Sequence, residues 1–216
     1  MAAAKPPKKQ PTPRKAEAVR ARAMATACAK GQLKKVKALL AEGADPKHGV
    51  PMVTAPLVAA ASGENVELVR LLIELGAPLD EYGAPAVAYA ATRDDDAVFT
   101  FLVERGALKT WSGPWTVGYS PHQTPLALAL HLVQGAVAGT PNERAARKEM
   151  AVATRAVLRL LDAGADPRVA SSAAGAMPAL PLDHLLQLAA LYEDDDTTVM
   201  REARELLEPA LRKHGA

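Results

Sequence analysis

Several features are scarce in this sequence, and each scarcity excludes a kind of protein. Cysteine occurs once, as Cys28, which excludes an intramolecular disulfide and any metal cluster built from cysteines. Two Trp, four Tyr and two Phe are the only aromatic residues, so close helix packing has to rest on Ala, Leu and Val. No apolar run has the length of a signal-peptide core or of a membrane span. We therefore expect a cytoplasmic protein without a membrane anchor.

The sequence also lacks the motifs that mark common enzymes. It has no Gly-rich phosphate loop, no nucleophile elbow and no His-Glu-x-x-His pair. The acidic runs Asp94 to Asp96 and Asp194 to Asp196 each precede a predicted helix, where carboxylates cap free N–H groups, so we interpret them as caps and not as metal ligands. We expect no catalytic residue, no metal site and no cofactor.

A short phrase that ends in Gly-Ala is the most prominent feature that is present. It recurs after an apolar helical stretch at Gly43, Gly76, Gly106, Gly164 and Gly215, with intervals of 33, 30, 58 and 51 residues. A Gly in the left-handed conformation just after a helix is a stop signal for that helix. Recurrence of the phrase at about the length of one supersecondary unit predicts that the unit itself repeats.

A Pro opens an Ala-rich apolar stretch upstream of each later phrase. Pro is favoured at the first position of a helix, where its missing N–H costs nothing, so each of these residues predicts the start of a first helix. A small polar break and a second amphipathic helix follow. The predicted starting residues are Pro56, Pro85, Pro125 and Pro181.

This order of Pro-helix, turn, helix, Gly-Ala and loop resembles the ankyrin repeat, whose opening signature is Thr-Pro-Leu-His-x-Ala at about 33 residues per unit. The resemblance covers Ala23 to Ala216, is closest from Ala55 to Asp80, and implies a divergent, bacterial member of the family. Thr124 to Leu126 keep the opening tripeptide. Apolar packing is expected to replace the hydrogen bonds of the family's His, since other residues stand at its position: Val58, Val87, Ala127 and Asp183.

The resemblance implies an all-α ankyrin-repeat solenoid of about five helix–turn–helix repeats over residues 23–216. The fourth and fifth repeats are longer than the others. Thr140 to Glu143 form a capping-box pattern, which predicts a helix of about 20 residues up to Asp162. The last helix is expected to kink or split near Pro209. These elongated C-terminal repeats are interpreted as a cap, with a partner-specific surface as the alternative.

Residues 1–22 form a basic, Pro-rich tail with a net charge of +6, while the remainder of the chain is at −4. Such a composition cannot offset its ordering entropy, so we expect a disordered tail, with a lead-in helix beginning at about Ala16. The alternative to a merely solubilising tail is a nucleic-acid-associated adaptor that acts through these charges.

The family's partners are usually held by the loops between repeats and by the exposed side of the first helices. The function implied is therefore a monomeric protein–protein interaction module that inhibits or scaffolds a partner protein, with an immunity- or antitoxin-like role as one form. A secreted effector that targets host proteins is another alternative. The third junction is rich in Trp and Tyr, which dominate binding hot spots, although its rings could instead fold back onto the scaffold. The predicted partner-binding residues are Trp111, Trp115, Tyr119 and His122, with Lys47, His48, Met52, Glu81 and Tyr82 in the first two junctions.

Overall fold

The computed structural model describes residues 13–49, 54–109, 124–138, 143–169, 180–191 and 198–215. Within these ranges the chain forms ten α-helices, one short 3-10 helix at Ala107–Lys109, and no β-strand. The all-α fold class is therefore confirmed. The α-helices are α1 (Pro13–Ala29), α2 (Leu33–Ala41), α3 (Pro56–Ala61), α4 (Val66–Glu74), α5 (Leu79–Ala91), α6 (Asp96–Glu104), α7 (Pro125–Ala138), α8 (Glu143–Asp162), α9 (Pro181–Leu191) and α10 (Thr198–Lys213).

Consecutive helices pack as helix–turn–helix units, from α1 with α2 to α9 with α10. The first helices of neighbouring units stack in the order α1, α3, α5, α7 and α9. Apolar side chains from all five units form one continuous core between the units, as expected for a solenoid. The second helices lengthen along the array, from 9 residues in α2, α4 and α6 to 20 in α8 and 16 in α10. The predicted elongation of the C-terminal repeats is confirmed.

The Gly of each Gly-Ala phrase follows a second helix and has a positive φ, and three of the five phrases share the full backbone motif of a helix stop. Gly43 has φ +83°, its N–H donates to the Leu40 carbonyl at 3.0 Å, and the next N–H, of Ala44, donates to the Leu39 carbonyl at 2.9 Å. These two bonds form a Schellman cap and satisfy helical carbonyls that would otherwise lack a donor. The same pair of bonds recurs at Gly76 and Gly164. The sequence signal is thus a true helix stop.

Three of the four predicted Pro starts are confirmed, because α3, α7 and α9 begin at Pro56, Pro125 and Pro181. The remaining predicted start, at Pro85, was wrong. Helix α5 begins at Leu79, and Pro85 lies inside it. Two carboxylates in the first turn, Asp80 and Glu81, favour this earlier start at the positive end of the helix dipole. Inside α5, Pro85 removes one helical hydrogen bond, the one that the N–H at its own position would donate.

The two ends of the chain differ in detail from what the sequence predicted. Helix α8 runs for 20 residues to Asp162, as predicted, although residues 140–142 of the predicted capping box lie outside the described ranges. Helix α10 continues through Pro209 without a split. Helix α1 starts at Pro13, three residues before the predicted lead-in helix, so that the last part of the predicted tail is helical. Residues 1–12 are outside the described chain.

Candidate functional site

The loop after the first repeat is held by a single carboxylate. Asp45 Oδ1 accepts a hydrogen bond from the Lys47 backbone N–H at 2.7 Å, which closes an Asx turn. Its second oxygen, Oδ2, lies 3.3 Å from Nδ1 of His48. The side chains of Asp45 and His48 are both more than half exposed. The turn therefore presents an acid, an imidazole and the adjacent Lys47 to solvent from a defined backbone.

The first and second junctions contact each other. A Cβ placed on Gly76 would lie 3.2 Å from Lys47 Cε, so the Lys47 side chain crosses directly over this helix stop. The Tyr82 hydroxyl receives a hydrogen bond from the Gly49 backbone and is hydrogen-bonded to the Glu81 side chain. We call the resulting patch the junction surface and define it by its residues: Asp45, Lys47, His48, Gly49, Glu81 and Tyr82.

Tyr82 is the anchoring group of this surface. It is half-buried at the start of α5. Burial, the hydrogen bond to Glu81 and the charges of Glu81 and Asp45 all raise the pKa of Tyr82, against the opposing effect of the Gly49 backbone. The phenol is therefore neutral at physiological pH and acts as both hydrogen-bond donor and acceptor. An aromatic ring held in this way loses little rotamer entropy when a partner covers it.

Four of the nine predicted binding residues come together here, namely Lys47, His48, Glu81 and Tyr82. The other five, Met52, Trp111, Trp115, Tyr119 and His122, lie outside the described residues. The chain enters the segment 110–123 from the 3-10 helix Ala107–Lys109. This helix contacts α5, which also carries Glu81 and Tyr82.

The sequence reasoning missed a second turn of the same kind. At the fourth junction Asp166 Oδ1 accepts from the Arg168 backbone N–H at 2.9 Å, and the Arg168 guanidinium pairs with both carboxylate oxygens. The Arg168 side chain and backbone hydrogen bonds hold the pKa of Asp166 below its ordinary value. The signal was present in the sequence, because Gly-Ala-Asp-Pro followed by a basic residue occurs at both Gly43 and Gly164.

The acidic run before α6 has two structural roles. Asp95 is the N-cap and accepts from the Ala97 N–H at 2.8 Å, as the sequence predicted. Asp94 pairs with Arg155 at 2.7 Å, and Asp96 pairs with Arg159, both of which come from α8. These carboxylates therefore hold the fourth repeat against the third. The run Asp194 to Asp196 lies outside the described ranges.

A groove with a volume of about 360 Å³ runs between α8 and α10. Its apolar lining includes Met150, Leu158 and Leu206, and Leu206 is 59% exposed. An ion pair between Arg147 and Glu202, 3.8 Å apart, joins the two helices within this lining. The groove therefore has a mixed apolar and charged lining, and none of the predicted binding residues belongs to it.

Two features are absent from the part of the chain that the structure describes. No three His, Cys, Asp or Glu side chains in that part of the chain are placed to hold a metal ion. None of the helices described there is long and apolar enough to cross a membrane.

Comparison with protein families identifies the repeats in the first half of the chain. The family model for ankyrin repeats, in three copies, matches residues 23–110. This range contains the helices α2 to α6 in full, together with the last seven residues of α1. It includes the whole junction surface. No curated protein matches the chain.

Proposed function

Residues 23–110 of this chain are ankyrin repeats, and from that premise we propose that the protein binds a partner protein through the junction surface. Ankyrin repeats are generally protein–protein interaction modules. The observation that carries the proposal is the contact between two junctions. Lys47 crosses Gly76, and Tyr82 is tied to Gly49, so that polar side chains from two repeats form one exposed patch on a packed scaffold.

The chemistry of the junction surface suits a polar protein surface. Lys47 and Glu81 offer opposite charges, His48 adds an imidazole that can form hydrogen bonds, and Tyr82 supplies the aromatic anchor. Lys47, His48 and Glu81 take no part in the core, and Tyr82 packs against it with part of its side chain exposed. The loops that present these side chains are fixed by helix stops and an Asx turn. A partner would therefore meet a preorganised site, which lowers the entropy lost on binding.

We propose that the binding surface continues into the segment 110–123. Trp111, Trp115, Tyr119 and His122 concentrate the large amphipathic side chains of the chain in this one stretch. The segment begins after the 3-10 helix that contacts α5, and α5 bears Tyr82. Met52 belongs to the first junction by its position in the sequence. We include these five residues in the proposed binding surface because of their sequence positions and side-chain types.

The proposed consequence of binding is inhibition or scaffolding of the partner by a monomeric cytoplasmic protein that is not itself an enzyme. Ankyrin-repeat proteins are typically binding modules without enzymatic activity, which supports this reading. An immunity- or antitoxin-like role is one form of such inhibition, because a rigid array can cover a partner's working surface without contributing any chemistry.

The test is affinity capture from native lysate with three matched forms of the full chain, followed by mass spectrometry. The junction variant carries Lys47→Ala, His48→Ala and Glu81→Ala. The control variant carries Lys148→Ala, Glu205→Ala and Lys213→Ala, which removes exposed side chains of similar charge from α8 and α10.

We expect a protein that the unmodified chain and the control variant retain and that the junction variant loses. A further variant, Trp111→Ala with Trp115→Ala, should weaken the same capture while its circular dichroism remains helical. If every captured protein is retained equally by all forms, the junction surface is not the binding site.

A further inference from the structure

Positive charge is concentrated at the N-terminal end of the array. Residues 1–41 carry a net charge of +10, and residues 42–216 carry −8. Glu17 is the one acidic residue in the first range. The charge asymmetry therefore extends beyond the N-terminal tail into the folded helices α1 and α2, which form the first repeat.

Seven basic side chains of this first repeat are exposed, and none has an ion pair with a described residue. In the later repeats several arginines pair with carboxylates, as Arg155 does with Asp94 and Arg212 with Glu208. The first repeat thus presents unneutralised charge. We call this set the cationic face: Lys15, Arg20, Arg22, Lys30, Lys34, Lys35 and Lys37.

The helices hold these charges apart on a surface of defined shape. In α2 the lysines Lys34, Lys35 and Lys37 surround the solvent side, opposite the buried Val36 and Leu39. In α1, Lys15 and Arg22 lie two turns apart on the same face. A helix of the length of α1 extends about 25 Å, and duplex DNA of that length carries about 15 phosphates. The seven positive charges of the face are fewer than the phosphates of a duplex of that length, so a duplex backbone can neutralise them.

The uncharged residues of the same face narrow the choice of ligand. Val19 is its exposed large apolar side chain, and the described parts of α1 and α2 contain no aromatic residue. Protein–protein hot spots and membrane-surface helices both rely on aromatic or large apolar side chains. Single-stranded nucleic acids are bound by stacking of their bases on aromatic rings. The Thr26 hydroxyl donates to the Arg22 carbonyl within its own helix. What the face offers is therefore mainly charge.

We propose that the cationic face binds the sugar–phosphate backbone of double-stranded DNA, independently of base sequence. This is a second surface, distinct from the junction surface, and its seven cations all belong to the first repeat. Binding of this kind releases counterions, so the logarithm of the affinity falls linearly with the logarithm of the salt concentration, with a slope of about −0.9 for each phosphate contact.

The test measures binding of the full chain to a fluorescently labelled DNA duplex of mixed sequence over a series of salt concentrations. The test variant is Lys34→Gln with Lys35→Gln and Lys37→Gln. The control variant makes the same change of net charge at Lys109, Lys148 and Lys213, which are exposed and have no ion pair with a described residue. A third form replaces the α2 lysines with Arg, which keeps the charge.

For the unmodified chain we expect a slope between about −4 and −6. The Gln variant in α2 should lose about 100-fold in affinity near physiological salt, and its slope should become shallower by about 3. The control and the Arg form should bind like the unmodified chain. Loss of helicity cannot explain such a result if circular dichroism of the Gln variant is unchanged.

Three outcomes would overturn the proposal. The first is no duplex binding by the unmodified chain at low salt. The second is an equal loss in the α2 variant and the control, which would show an effect of net charge alone. The third is tighter binding to anionic phospholipid vesicles or to polyglutamate than to the duplex, which would assign the face to a membrane or to an acidic protein.

Discussion

Asn65 joins the second repeat to the first through Gly31. Its side-chain Nδ2 donates to the Gly31 carbonyl at 3.0 Å, while its Oδ1 accepts from the Leu68 N–H at 3.0 Å and so caps α4. One amide thus supplies both a helix cap and a hydrogen bond between repeats. The sequence predicted that apolar packing would replace the family's inter-repeat hydrogen bonds. Val58 and Val87 are indeed buried, but Asn65 provides such a bond from another position.

Replacing Asn65 separates these two roles. Asn65→Ala removes the cap and the inter-repeat bond, and we expect it to lower the free energy of unfolding by about 2–3 kcal/mol. Asn65→Asp keeps the acceptor for Leu68 but loses the donor to Gly31, and should cost about half as much. Urea denaturation followed by circular dichroism measures both. Equal losses in the two variants would show that the bond to Gly31 contributes all of the effect.

Gly63 lies where the first two repeats approach most closely. A Cβ at this position would stand 2.4 Å from the Cys28 carbonyl oxygen and 3.1 Å from that of Ala29. Both contacts are with backbone, which cannot rotate away. We expect Gly63→Ala to lower the melting temperature by an amount that corresponds to about 2 kcal/mol or more. Gly43→Ala is not a suitable control, because Gly43 has a positive φ; Ser62→Ala, next to Gly63, should cost less than half as much.

Arg159 anchors the long helix α8 to the third repeat. It donates to the carbonyls of Ala91 and Arg93 at 2.9 and 2.6 Å, pairs with Asp96, and lies 4.6 Å from the centre of the Phe99 ring. Its side chain is only 18% exposed.

Arg159→Ala leaves these carbonyls at the end of α5 without their donor, so we expect a loss of about 2–3 kcal/mol in urea denaturation. Arg159→Lys should not restore it, since an ammonium group cannot reproduce the planar fork. Arg155→Ala breaks an exposed pair with Asp94 and an exposed hydrogen bond to the Thr92 carbonyl, and should cost less than about 1 kcal/mol. Similar losses in the Arg155 and Arg159 variants would contradict this assignment.

Cys28 makes stability depend on pH in the alkaline range. Burial raises the pKa of its thiol from 9.0 to about 12. Above about pH 9 the unfolded chain loses this proton while the folded chain keeps it, so the unfolded state binds fewer protons and stability falls as pH rises. Between about pH 8 and pH 10 this effect lowers the free energy of unfolding by about 1.3 kcal/mol.

Cys28→Ala isolates this effect from other groups that titrate in the same range. The difference in free energy of unfolding between the unmodified chain and the variant, measured by urea denaturation at both pH values, should change by about that 1.3 kcal/mol in favour of the variant at the higher pH. A difference that does not change with pH would mean that the folded thiol ionises as readily as the unfolded one.

The fold was predictable because its signals are local. The bonds that stop α2 join residues within five positions of Gly43, so a short phrase specifies them completely, and its recurrence specifies the repeat. The predicted helix start at Pro85 was wrong because another local signal, just before it in the sequence, outweighed it. Pro is compatible with a helix start, but Asp80 and Glu81 stabilise a start six residues earlier, at Leu79.

The contacts of the site were less predictable because they join distant residues. Arg159 binds carbonyls 66 and 68 positions away in sequence, and Lys47 reaches Gly76 only once the first two junctions are packed together. The residue types in the junctions did predict a polar surface. The geometry that makes Tyr82 its anchor, through Gly49, depends on the stacking of the repeats.

Amide hydrogen exchange on the array, alone and bound to its captured partner, tests the central claim of a protein-binding junction surface most directly. We predict that bound partner slows exchange at residues 45–49 and 78–83 by at least about tenfold and leaves α8 and α10 unchanged. Slowed exchange confined to α8 and α10, with none at the two junctions, would contradict the account.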